Sequence, residues 1–207
     1  VSRLLHISAS PRGAASVSLS IAEAFLDAYR EANPGAVVDR FDLWDGTLPE
    51  FGPAAAGAKM AFIAGEEPRG ERAEAWRAAV AVFERLDSYD RYLFSVPMWN
   101  AGVPYKLKQL IDVVSQPGMV FSVDPELGYT GLLTGKRAAV VYTSLVWAPH
   151  LGPEFGADFQ STFFGDWLRW AGVKDVHEIR YHPGLTGDAE AEAKKAAERA
   201  REVARRF

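Results

Sequence analysis

Two short segments of this 207-residue chain carry residue types suited to holding a charged, flat ligand. The first is Ser8-Ala9-Ser10-Pro11-Arg12-Gly13-Ala14-Ala15-Ser16-Val17-Ser18, which leads from an apolar strand straight into a helix. A phosphate at a helix N-terminus needs backbone N–H donors, hydroxyls and ideally a cation. Ser10, Ser16 and Ser18 supply hydroxyls, Arg12 the cation, and Gly13 a backbone free to curl. An ordinary strand-to-helix loop would also place a capping serine at 16 or 18. Three serines with an arginine and a glycine at the mouth of a central strand favour phosphate.

The second segment is Pro97-Met98-Trp99-Asn100-Ala101-Gly102-Val103-Pro104. Prolines at both ends restrict its backbone, and Gly102 would let a flat ring approach closely. Asn100 offers a donor and an acceptor, and Trp99 can stack on a ring or wall it in. The backbone amides of Asn100 and Gly102 are the expected contacts to the polar edge of a heterocycle. A rigid turn in which Met98 and Trp99 merely fill the core is the other reading. Taken together, the two loops suit the two ends of a mononucleotide.

Other chemistries are excluded more easily. The chain has no cysteine, which removes thiol nucleophiles, iron–sulfur ligation and thiolate zinc sites. Lys+Arg 23 against Asp+Glu 27 gives a net charge of -4, with no basic footprint for nucleic acid. No G-x-G-x-x-G follows the first strand, and no G-x-S-x-G elbow exists. Gly131-Leu132-Leu133-Thr134-Gly135-Lys136-Arg137 imitates a P-loop, but is one residue short between its glycines and ends in Arg. The histidines do not cluster: His177 and His182 fall on opposite faces of a strand, and His6 reads as a satisfied, half-buried strand residue. His150, in a loop, is the one histidine placed near substrate. No uncharged apolar run approaches the ~18 residues of a membrane span, and a cytoplasmic location is expected.

The elements that must position the two loops alternate along the chain. Leu4–Ile7, 36–43, Tyr92–Val96, Ala138–Tyr142 and Val176–Tyr181 read as strands. Helices are predicted around Ile21–Tyr29, Glu71–Leu86, Leu107–Val114, Phe159–Ala171 and Asp188–Arg206, with a short helical patch at Met60–Ala64. Two excursions, 44–68 and 120–133, are left without a regular fold. Alternating strands and helices predict an α/β fold: a five-stranded parallel sheet in flavodoxin-like order 2-1-3-4-5 with helices on both faces. That order puts ligands at the carboxyl ends of strands 1, 3 and 4, where both loops lie. The length fits one compact domain.

The serine loop, Pro97-Met98-Trp99-Asn100 running on to Pro104 and Leu107-Lys108, and then Asp112, Gly118, Phe121 and Gly131–Lys136 together resemble the FMN-dependent NADH:quinone oxidoreductase/azoreductase family. The similarity runs from the first strand to the helix at Phe159. It implies one flavin-binding domain over 1–207, tightly bound FMN, and NADH or NADPH as donor. It also implies ping-pong transfer of two electrons to quinones and azo compounds. Carried over, Ser10, Arg12, Ser16, Val17 and Ser18 would hold the phosphate end. Pro97, Met98, Trp99, Asn100, Ala101 and Gly102 would hold the ring, with Ser144 and Trp147 at its far edge. Two departures stand out: Leu145-Val146-Trp147 replaces the Arg-Gly-Gly of many members, and Ala101 stands where an aromatic is frequent. Trp147 would then cover the flavin. Two alternatives stay open, an FAD-dependent quinone reductase and a non-enzymatic electron carrier.

The family likeness also implies a homodimer. Phe159, Phe163, Phe164, Trp167 and Trp170 crowd one helix, which suits either a subunit interface or a well-filled core. Phe121 and Phe163 are the aromatics expected to reach a neighbour's flavin. The partners expected are a quinone or azo small molecule, with neither nucleic acid nor membrane.

Overall fold

Leu4, Leu5 and Ile7 in β1 (Arg3–Ser8), Leu93, Phe94 and Val96 in β3 (Arg91–Pro97), and Ala138–Tyr142 in β6 (Arg137–Thr143) are all buried. Strands covered on both faces must be apolar almost throughout, which is why these three form the centre of a parallel sheet. The computed structural model describes residues 2–207. The edge strands are β2 (Val37–Asp42) and β7 (Asp175–Tyr181), whose outward positions are polar. The sheet runs β2-β1-β3-β6-β7 and every pairing is parallel. This is the expected 2-1-3-4-5 order, with two strand numbers taken up elsewhere.

Helices cover both faces. On one face lie α1 (Val17–Ala32) and α6 (Ala189–Ala204), which bury Ile21, Phe25, Tyr29, Ala200 and Val203 against Leu4, Leu93 and Ile179. On the other lie α3 (Glu71–Asp87), α4 (Tyr105–Val114) and α5 (Phe159–Ala171), with Leu86, Leu107, Leu110 and Phe164 against Leu5, Phe94 and Val140. Each large side chain so buried contributes roughly 1.5–3 kcal/mol. The helix ends follow local chemistry: Asp158 caps α5 by accepting from the Ser161 N–H at 2.7 Å, and left-handed Gly172 closes it.

Both excursions hold more structure than the pattern predicts. The helical patch at Met60–Ala64 is the end of α2 (Pro53–Ile63), which starts with proline at its first position. Its alanine-rich sequence leaves no apolar stripe to read. Between 120 and 133, β4 (Phe121–Asp124) and β5 (Gly128–Gly131) form an antiparallel hairpin. Asp124 Oδ1 accepts from the Glu126 and Leu127 N–H groups at 2.8 and 2.9 Å, building the turn. The hairpin docks on the end of α5. Phe121 and Tyr129 pack against Trp170 at 4.8 and 5.6 Å, and the Leu133 N–H reaches the Ala171 carbonyl at 2.8 Å.

Gly131 is required at that contact, because a Cβ there would stand 2.3 Å from the Gly172 nitrogen. The backbone atoms of Trp170 and Ala171 stand nearly as close, at 2.4 Å, and backbone cannot swing aside. Gly131→Ala is therefore expected to destabilise the fold by about 1–3 kcal/mol, read as a lower urea midpoint. A midpoint equal to that of the parent would contradict this packing.

Candidate functional site

At the carboxyl ends of β1, β3 and β6 lies a cavity of about 400 Å³. This is the crevice in which open α/β sheets place their ligands, and the volume falls within the range of about 300–1,000 Å³ of cofactor sites.

After β1 the chain makes one 3₁₀ turn, Gly13–Ala15, with Gly13 at φ 51°, and enters α1 at Ser16. Ser16 accepts from the Leu19 N–H at 3.4 Å, and its hydroxyl lies 3.0 Å from that of Ser18. The first N–H groups of a helix have no carbonyl to meet. Those of Val17 and Ser18 make no hydrogen bond among the described residues. Ser10, Ser16 and Ser18 are buried, and all three line the cavity with Val17 and Arg12. Arg12 is the only charged side chain in that lining.

After β3 the chain reverses in a two-residue turn. The Trp99 and Gly102 N–H groups each donate to the other's carbonyl at 2.9 Å. The two residues between them are left-handed, Asn100 at φ 49° and Ala101 at φ 67°. Non-glycine residues adopt this region at a cost, and strain of this kind concentrates at functional sites. The surroundings fix it: the Met98 N–H donates to the Thr143 carbonyl at 2.7 Å, and the Phe159 N–H to the Ala101 carbonyl at 3.1 Å. The N–H groups of Asn100 and Ala101 make no hydrogen bond among the described residues.

This geometry corrects the sequence reading of Gly102. Its N–H is committed to Trp99, it does not line the cavity, and its φ is not positive. The free amides are those of Asn100 and Ala101, because closing a two-residue turn occupies the residues on either side of it. Trp99 both lines the cavity and packs outward, 5.7 Å from Trp44 and 6.2 Å from Tyr105. Trp44 in turn donates from Nε1 to the Ala9 carbonyl at 3.0 Å, tying this cluster to the loop after β1.

After β6, the Ser144 N–H donates to the Tyr181 carbonyl at 3.0 Å, and the Ser144 hydroxyl accepts from the Trp147 N–H at 3.1 Å. Ser144 and Trp147 line the cavity with Pro97, Met98, Trp99, Asn100 and Ala101. Sequence reasoning missed Thr143, Leu145, Val146, Phe155–Ala157 and Tyr181, which also line it. Nothing local marks the last two groups; tertiary packing brings them there. Burial, then the charge of Glu192, raises the Tyr181 phenol above its ordinary value, so it remains a neutral hydroxyl.

The histidines stand apart. His6 is fully buried rather than half-buried; its Nε2 lies 2.8 Å from Ser95 Oγ, while Nδ1 has no partner among the described residues. Burial above all, then Arg40 and Arg30, lowers its pKa to about 3. His150 does not reach the cavity; it lines a separate depression with His182 beside α6. No group of three or more metal-ligating side chains occurs among the described residues.

The profile described as a flavodoxin-like fold matches residues 2–204. The chain belongs to the flavodoxin-like fold family. Among curated flavodoxin-like relatives, an FMN-dependent NADH:quinone oxidoreductase of Ruegeria pomeroyi is 43% identical over 188 residues, covering 91% of this chain and 92% of that one. A protein of the same name from Nitratidesulfovibrio vulgaris is 38% identical over 207 residues, covering 99% of each. Among solved flavodoxin-like structures, the azoreductase from Bacillus anthracis superposes with a TM-score of 0.90 at 26% identity, covering 100% of both chains.

The N-terminus of α5 carries a carboxylate that links the stability of this flavodoxin-like protein to pH. Arg180 Nη1 in β7 lies 3.2 Å from Asp158 Oδ2, and Ser161 Oγ donates to the same oxygen at 2.5 Å. Burial pushes the Asp158 carboxyl up, but the Ser161 and Arg180 hydrogen bonds outweigh it and hold the pKa below 3.8. A carboxylate with a depressed folded pKa stabilises above its unfolded value, and that stability is lost as pH falls through the folded one. Asp158→Asn should therefore flatten the fall of the urea midpoint below pH 3.8. Parallel curves for parent and variant would contradict this linkage.

Proposed function

We propose that the chain is an FMN-dependent oxidoreductase that takes two electrons from NADH or NADPH and delivers them to quinones, with azo compounds as a second acceptor class. The observation that carries this reading is the chemical polarity of one cavity. Hydroxyls, free helix-terminal amides and Arg12 gather at one end; flat apolar walls with two free amides form the other. That donor set fits FMN, whose phosphate and flavin ring ask for those two environments. The names of the two relatives and the azoreductase neighbour support the same cofactor and acceptors.

In this reading Ser10, Arg12, Ser16, Val17 and Ser18 bind the phosphate, and Pro97, Met98, Trp99, Asn100 and Ala101 hold the ring. Ser144 and Trp147 close its far side. Bound there, FMN supplies a ring that accepts hydride from the nicotinamide nucleotide and passes electrons to the acceptor. The Asn100 and Ala101 amides, fixed before any ligand arrives, would be available to the polar edge of the bound ring and to negative charge gathered there on reduction. Preset donors of this kind need no reorganisation. Donor and acceptor occupy the cavity in turn, which is a ping-pong sequence. The whole chain, 1–207, acts as one domain in the cytoplasm, where the nucleotide donor is available.

The aromatic segment supports a homodimer. Phe164 and Trp167 fill the core and Trp170 lies under the hairpin, but Phe159 and Phe163 remain 65% and 38% exposed. Phe159 donates its N–H to the Ala101 carbonyl, so an interface on this face would lie beside the cavity. Phe121 is buried within its own chain against Trp170 and Tyr129, so Phe163 rather than Phe121 is the aromatic available to a partner. Light scattering should give twice the chain mass; a monomer at working concentration would contradict the dimer.

Purified protein mixed with FMN should acquire a flavin spectrum and oxidise NADH or NADPH with a quinone. Ser18→Ala should weaken FMN by about ten- to hundredfold, the worth of roughly 1.5–3 kcal/mol for a hydrogen bond to a charged group, read by flavin fluorescence. A parent protein that takes up no FMN, or a variant that binds it equally well, would overturn the assignment.

A further inference from the structure

The ring end of the cavity is largely apolar and carries no charged side chain. Leu145, Val146, Trp147 and Phe155 line it, and Leu145 and Val146 are still 56% and 46% exposed at its rim. The only charged lining residue, Arg12, belongs to the loop after β1. An anionic substituent entering between such walls gives up hydration and meets no counter-charge, which is costly. A flat neutral ring gains buried area on the same surface.

The wall is also held in place. The Trp147 N–H is bonded to Ser144 Oγ at 3.1 Å, and its indole stands edge-to-face on His182 with centroids 5.1 Å apart. His182 is buried, and neither ring nitrogen has a partner among the described residues. Burial, then Arg180, lowers its pKa to about 4, so at neutral pH it braces Trp147 as an uncharged ring.

We propose that the Leu145–Val146–Trp147 wall selects neutral, flat quinones as acceptors and discriminates against acceptors that carry a sulfonate or carboxylate. This deepens the oxidoreductase reading and rests on it. The discrimination is local, because it arises from side chains at the rim and not from the net charge of -4.

The test compares 2-methyl-1,4-naphthoquinone with 1,4-naphthoquinone-2-sulfonate on the oxidised, FMN-loaded protein without reductant. Dissociation constants come from tryptophan quenching and flavin absorbance, and kcat/KM for each quinone is measured separately. The neutral quinone should bind at least tenfold tighter. Val146→Arg should shift the affinity ratio at least tenfold toward the sulfonate, and Leu145→Arg serves if that variant does not fold. Glu31→Gln, exposed in α1, makes the same +1 charge change elsewhere and should leave the ratio within twofold. Equal binding of the two quinones by the parent overturns the proposal. So does a Glu31→Gln shift as large as that of Val146→Arg. Failure to bind FMN at all would instead overturn the oxidoreductase reading underneath.

Discussion

The turn from Trp99 to Gly102 is the constraint on which the site depends. Two mutual N–H···O=C bonds close it at 2.9 Å, and they force Asn100 and Ala101 into left-handed backbone. For residues with a Cβ that conformation costs roughly 1–2 kcal/mol each. It persists because three elements hold the loop: β3 leads into it, β6 accepts the Met98 N–H, and α5 donates the Phe159 N–H to Ala101. The result is a pair of backbone donors on the cavity wall that the protein itself does not use.

The rest of the architecture supplies a complementary end. Parallel β1 and β3 leave the sheet side by side, with Ser8 opposite Ser95, so the serine loop and the turn emerge on one edge. The start of α1 presents unpaired amides and buried hydroxyls, and Trp44 braces Trp99 while bonding Ala9 of the serine loop. The cavity thus has a charge-accepting end and a neutral, aromatic end. No acid–base pair is needed for a reaction in which the cofactor carries the electrons.

Much of this was legible in the sequence, for reasons that are residue-specific. The central strands read clearly because burial on both faces makes Leu4-Leu5, Leu93-Phe94 and Ala138–Tyr142 continuous apolar runs. Helix α5, predicted over Phe159–Ala171, keeps those bounds in the structure, where the Asp158 cap and Gly172 stop bracket its apolar repeat. The hairpin of β4 and β5 was not legible, since its four-residue strands leave Val123 and Tyr129 facing solvent. In the Asn100-Ala101-Gly102 stretch glycine is the default choice for unusual backbone, yet the positive φ values fall on its two neighbours. The Trp99–Gly102 bridge, which leaves Asn100 and Ala101 at the tip of the turn, decided the matter. Phe155–Ala157 and Tyr181 reach the cavity only through tertiary packing, and composition gives no hint of them.

Amide hydrogen exchange resolved at single residues tests the central claim most directly. With FMN added, the Asn100 and Ala101 amides should become protected by at least tenfold, while Gly102 is already protected without it. Fast exchange at Gly102 in the free protein, or no change at Asn100 and Ala101 on FMN binding, would contradict the account.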